Sequence, residues 1–115
     1  MSAMKELSLD LECPDDVTPL ARKAHKVIVD FLVKHDLVHT GGCRAFHSPG
    51  EWAARGEEYG TKSLLVVCHD GGEVRYAFSY DAECYTLVDG LQDELKKIGV
   101  YAEQCTSWYS AVYRI

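Results

Sequence analysis

The chain has 115 residues, a length that fits one domain and leaves little room for two. Hydrophobic residues make up 47% and charged residues 26%, a globular balance that excludes a disordered chain. The net charge is −6, and the 12 basic residues are scattered, with no run longer than Arg22-Lys23 or Lys96-Lys97. Such a distribution argues against direct nucleic-acid or membrane-surface binding and favours a protein partner with a basic surface.

Five cysteines, Cys13, Cys43, Cys68, Cys84 and Cys105, form an odd set without a C-x-x-C pair. They predict reduced thiols and a cytoplasmic setting. The N-terminus lacks a basic-then-apolar leader pattern, and no apolar stretch reaches the ~18 residues of a membrane span.

In chain order, Lys5 to Glu12 alternates apolar and polar residues and predicts a half-buried strand, ended by Cys13-Pro14-Asp15-Asp16. Thr18-Pro19 provides an N-cap followed by proline at the first helical position. Leu20, Ala24, Val27, Ile28, Phe31 and Leu32 then recur at spacings of three and four, predicting a long amphipathic helix that ends near His35. Residues 37–47 read mainly as loop. Ser48-Pro49-Gly50-Glu51 is a capping box, and a short helix placing Trp52, Gly56 and Tyr59 on one side should run to Gly60.

Leu64 to Cys68 is a short apolar run, which predicts a strand covered on both faces. Asp70-Gly71-Gly72-Glu73 predicts a hairpin turn, with Val74, Tyr76, Phe78 and Tyr80 alternating along the returning strand. Asp81 is a candidate cap for a helix with the stripe Cys84, Leu87, Val88, Leu91, Leu95 and Ile98, closed by Lys96, Lys97 and Gly99. Val100 to Ile115 is β-rich, either one long strand or two broken near Thr106-Ser107.

Apart from the short helix, this order is β-α-β-β-α-β, the arrangement of ferredoxin-like domains. The expected class is therefore α+β, one domain over residues 1–115, with two helices on one face of a mainly antiparallel sheet. The second face would carry an aromatic patch, with Tyr76, Phe78, Tyr80, Trp108, Tyr109 and Tyr113 as candidate partner-binding residues. Such a patch would be covered by the terminal segment or by another chain, a second copy included.

Candidate chemistry is sparse. His39, Cys43 and His47 form H-x3-C-x3-H around Gly41-Gly42, and Cys68 or His69 could add a fourth zinc ligand, but the spacing matches no standard zinc pattern. The expectation is therefore no cofactor, with zinc as the alternative. Cys68 and His69 are adjacent on a strand and point to opposite faces, so they form no dyad. Glu51, Glu57 and Glu58, like Asp89, Asp93 and Glu94, read as solvated helix faces. Neither Gly-Gly pair carries a phosphate-binding pattern.

The expectation that follows is a small acidic non-catalytic interaction module. The alternative is a metal- or small-molecule-binding domain, or an enzyme, built on the His39–His47 loop. In size and charge, though in no motif, the chain resembles small phage-encoded inhibitors of nucleic-acid enzymes, anti-CRISPR proteins among them.

Overall fold

The computed structural model describes residues 9–80 and 84–115. After a 3-10 turn at Leu9–Leu11 come α1 (Pro19–Lys34), β1 (Phe46–His47), α2 (Pro49–Ala54), β2 (Leu65–Cys68), α3 (Arg75–Phe78), α4 (Tyr85–Lys96), β3 (Val100–Gln104) and β4 (Tyr109–Arg114). The class is α+β. The sheet order is β1-β2-β4-β3, and each neighbouring pair is antiparallel. No helix among the described residues is long and apolar enough to cross a membrane.

Local signals set the two cleanest helix starts. Thr18 Oγ1 accepts the Ala21 N–H at 3.1 Å, and Pro19 occupies the first turn of α1. Ala21, Ala24, Ile28, Val29, Phe31 and Leu32 are then buried along one stripe. Each larger member contributes about 1.5–3 kcal/mol of burial. At α2 the capping box is reciprocal. Ser48 Oγ accepts from Glu51 N at 3.0 Å, and the Glu51 carboxylate accepts from Ser48 N at 3.4 Å. Ser48 Oγ also donates to Asp16 at 2.7 Å, which ties α2 to the segment before α1.

The sheet's period-two alternation separates two cores. Leu65, Val67, Val100 and Val112 join the buried side chains of α1 and α4. Val66, Cys68 and Tyr109 point the other way and pack with Trp52 of α2 and the half-buried Trp108. The second face is thus covered in part by the chain itself, through α2, rather than by the terminal segment, which lies within the sheet as β3 and β4. The run of Leu65 to Cys68, fully buried on both sides, is the strand that this double cover requires.

Several expectations are corrected. Where the expected N-terminal strand overlaps the described residues, Leu9–Leu11 is a 3-10 turn. Its carbonyls are engaged sideways: Asp10 O accepts from Ala45 N, and Leu11 O lies 2.8 Å from His25 Nε2. The rest of that segment and the Asp81 cap lie outside the described residues. The helix after it opens at Tyr85, with Cys84 as its half-exposed N-cap rather than a stripe residue. Helix α2 stops at Ala54 and not Gly60, because Gly56 N turns back onto Ala53 O.

The largest correction concerns Val74 to Tyr80, which forms no returning strand. Arg75–Phe78 is a helical turn with Val74, Ala77 and Phe78 buried. The β-α-β-β-α-β order therefore does not describe the chain. Its cause lies in the preceding turn. Glu73 N donates to His39 O at 2.7 Å, so residues 70–73 dock on the 39–43 loop instead of folding a hairpin. Gly72, at φ +67°, approaches so closely that an added Cβ would lie 2.4 Å from His39 O. Opposite it, a Cβ added at Gly41 would lie 2.8 Å from Gly72 N. The two Gly-Gly pairs of the sequence thus form one interlocked contact. The terminal segment resolves as two strands, paired from Val100 opposite Arg114 to Gln104 opposite Ser110.

Candidate interaction groove

Beyond the cover of α2, the second face of the sheet stays open. The register that pairs Tyr101 with Tyr113 and Glu103 with Ala111 puts Tyr101, Glu103 and Tyr113 on this face. Tyr101 and Tyr113 rings lie 5.8 Å apart. The loop after α2 supplies the opposite wall, where the backbone carbonyl of Tyr59 accepts the Tyr109 hydroxyl at 3.2 Å. Between strand and loop lies a groove of about 480 Å³, whose lining includes Glu58, Tyr59, Lys62, Glu103, Cys105 and Tyr113.

Tyr59 is 51% exposed and Tyr101 40%, well above the buried Tyr109 of the same face. Glu58 and Glu103 are exposed and make no ion pair among the described residues. Burial, then the charges of Cys105 and Glu103, push the Tyr113 hydroxyl above its ordinary pKa, so it stays protonated as a donor. A concave surface with tyrosine rings and unpaired carboxylates can hold a cationic group by stacking and by charge-assisted hydrogen bonds.

The six aromatics expected to form one patch are divided between two places. Tyr76, Phe78 and Tyr80 belong to the α3 segment. Phe78 is buried, with its ring parallel to His69 at 5.7 Å; Tyr76 is half-buried under Arg75; Tyr80 is exposed beside Tyr85. Trp108, Tyr109 and Tyr113 lie on the second face, and the first two pack on Trp52 at 5.8 and 5.0 Å. Of the six, Tyr113 alone lines the groove. Glu58, Tyr59, Tyr101 and Glu103 escaped sequence reasoning. Their signal is the alternation of Tyr101 and Glu103, which places both beside Tyr113 once the terminal segment is taken as a hairpin.

The four candidate metal ligands do not converge, and among the described residues no three His, Cys, Asp or Glu side chains form a metal-ready group. His39 is exposed. His47 is buried with Nδ1 3.1 Å from Glu51 and Nε2 3.1 Å from Arg44 O. His69 Nε2 lies 2.9 Å from Ser110 Oγ, inside the core. Cys43 Sγ donates to the carbonyls of Thr40 and Asp70 at 3.2 and 3.5 Å.

Cys43 and Cys68 share a smaller cleft of about 230 Å³ with Arg44, His47, Arg55 and Trp108. Burial pushes the Cys68 thiol up to about 12, and burial together with Asp70 raises that of Cys43. Both stay protonated at neutral pH, which makes them weak nucleophiles. All five cysteines are free thiols. The adjacent Glu51 is bonded by Arg44 at 2.6 and 3.1 Å. Partial burial works against its charge, but hydrogen bonds from His47 and Arg44 prevail and hold its carboxyl below the ordinary range.

No protein-family model, curated protein or solved structure matches the chain.

Proposed function

We propose that the protein is a small non-catalytic interaction module that docks a basic surface of a partner protein into the acidic, tyrosine-bearing groove between β3 and the loop after α2. The observation that carries this reading is the pairing of two exposed carboxylates, Glu58 and Glu103, which make no ion pair among the described residues, with the exposed Tyr59 and the half-buried Tyr113 in the lining of one groove. Aromatic anchors inside a charged rim are what protein interfaces use. The net charge of −6 adds long-range attraction toward a basic partner. A module of this kind can inhibit a nucleic-acid enzyme by occupying the basic surface that otherwise holds phosphates.

The test is titration with a short basic peptide at 50 and 300 mM salt, comparing the wild type with the Glu58→Gln/Glu103→Gln double variant. The reading expects binding that weakens with salt and is lost in the double variant. Binding that is indifferent to salt or to the two substitutions overturns it. Asp93→Asn, on exposed α4 surface outside the groove lining, serves as the control and should leave binding unchanged.

A further inference from the structure

We infer that the cationic group this groove selects is the guanidinium of an arginine, stacked on tyrosine rings with its N–H groups donated to Glu58 and Glu103. The inference rests on the docking reading above and makes it specific.

The chain already contains the arrangement in intramolecular form. The Arg55 guanidinium lies over the Trp52 ring at 4.3 Å while its Nη2 sits 3.3 Å from Glu57. Arg75 lies over the Tyr76 ring at 5.2 Å. Both cation–ring contacts among the described residues are made by arginine. Two exposed lysines, Lys26 and Lys97, pair instead with carboxylates. A planar, weakly hydrated guanidinium gives up less solvation against a ring than a compact ammonium does, and its five donors can serve two carboxylates at once.

The groove repeats those parts with no arginine in its lining among the described residues. Tyr59 and Tyr113 supply ring surface from facing walls, and Glu58 and Glu103 supply acceptors from the same two walls. Among the described residues Lys62 is the one basic residue in the lining, so two carboxylates against one ammonium leave it net negative. A volume of about 480 Å³ admits a long side chain together with part of its flanking backbone.

The experiment uses the full chain and two blocked tetrapeptides, tetra-arginine and tetra-lysine, titrated while amide resonances are followed. Tetra-arginine should bind about tenfold more tightly, the ratio expected when stacking and forked hydrogen bonds add to a shared charge. Its shifts should centre on Tyr59, Tyr101, Glu103 and Tyr113, and Glu58→Gln/Glu103→Gln should remove them. Equal affinity for the two peptides, lost alike in the double variant, overturns the arginine inference and leaves basic docking standing. Binding of neither peptide, or shifts centred elsewhere, overturns both.

Discussion

The Gln92 side chain forms a two-point amide pair with the backbone of Ala102: its Nε2 donates to the Ala102 carbonyl at 2.6 Å, and its Oε1 accepts the Ala102 N–H at 3.0 Å. β3 is an edge strand, and Ala102 turns both polar groups away from β4. A residue of α4 therefore stands where the next strand would lie. Exposed edges invite pairing with other chains, and occupying their hydrogen-bonding groups is one way to blunt them.

Gln92→Leu should lower stability by about 1–2 kcal/mol, the net worth of two hydrogen bonds to a partly exposed backbone. It should also promote self-association, as Ala102 becomes free to pair. Urea denaturation gives the first quantity, and sedimentation at rising protein concentration gives the second. A variant as stable as the wild type and no more self-associating would show the edge to be protected by other means.

Gly72→Ala and Gly71→Ala separate conformational cost from steric cost. Both positions have positive φ, +67° for Gly72 and +83° for Gly71, and each alanine is strained there by about 1–2 kcal/mol. An added Cβ at Gly71 meets open space, whereas at Gly72 it strikes backbone atoms of His39, Thr40 and Gly41 within 2.6 Å. The Gly72 variant should be the less stable by at least about 1 kcal/mol beyond the shared strain, and opening of the loop contact should expose the Glu73 amide to hydrogen exchange. Equal losses for the two variants would refute the interlock of the 39–43 and 70–73 loops.

That interlock also marks where sequence reading stops. Thr18-Pro19 and Ser48-Pro49-Gly50-Glu51 were legible because a cap is satisfied within three residues of itself. Residues 74–80 carry two periodicities at once. Val74, Tyr76, Phe78 and Tyr80 alternate as a strand does, while Val74, Ala77 and Phe78 recur at helical spacing. The choice between them was made by a loop some thirty residues upstream, through the Glu73–His39 hydrogen bond, and local pattern holds no trace of it. The groove was half legible for a related reason. Tyr113 stood out as an aromatic, but its neighbours depend on the β3–β4 register and on a loop wall joined to β4 by the Tyr109 hydroxyl.

Trp52 covers part of the second face, fully buried against Tyr109, Trp108 and His47. Trp52→Ala should destabilise by about 3–5 kcal/mol through the cavity it leaves. Trp52→Phe should cost much less. The indole Nε1–H has no hydrogen-bond partner among the described residues, and removing an unsatisfied buried donor offsets part of the lost volume. Thermal or chemical unfolding of the three proteins checks the order. A phenylalanine variant as unstable as the alanine one would mean that the indole nitrogen is in fact satisfied.

His69 should make stability depend on mildly acid pH. The ring is 1% exposed, with Nε2 2.9 Å from Ser110 Oγ and its face parallel to Phe78. Nδ1 has no partner among the described residues, so a second proton there would be buried without an acceptor. Burial lowers the folded pKa from 6.5 to about 4, against weaker upward pulls from a backbone hydrogen bond and Asp70. Between those values the unfolded chain takes up a proton that the folded chain refuses. The stabilising contribution is therefore complete above pH 6.5 and is lost as pH falls from there to 4, by a total of about 3 kcal/mol. His25, also lowered chiefly by burial, acts in the same direction but is common to the wild type and to His69→Gln. The gap in stability between these two proteins should thus narrow steadily from pH 7 to pH 4 in denaturant titrations. Parallel curves across that range would show that His69 is protonated without cost in the folded protein.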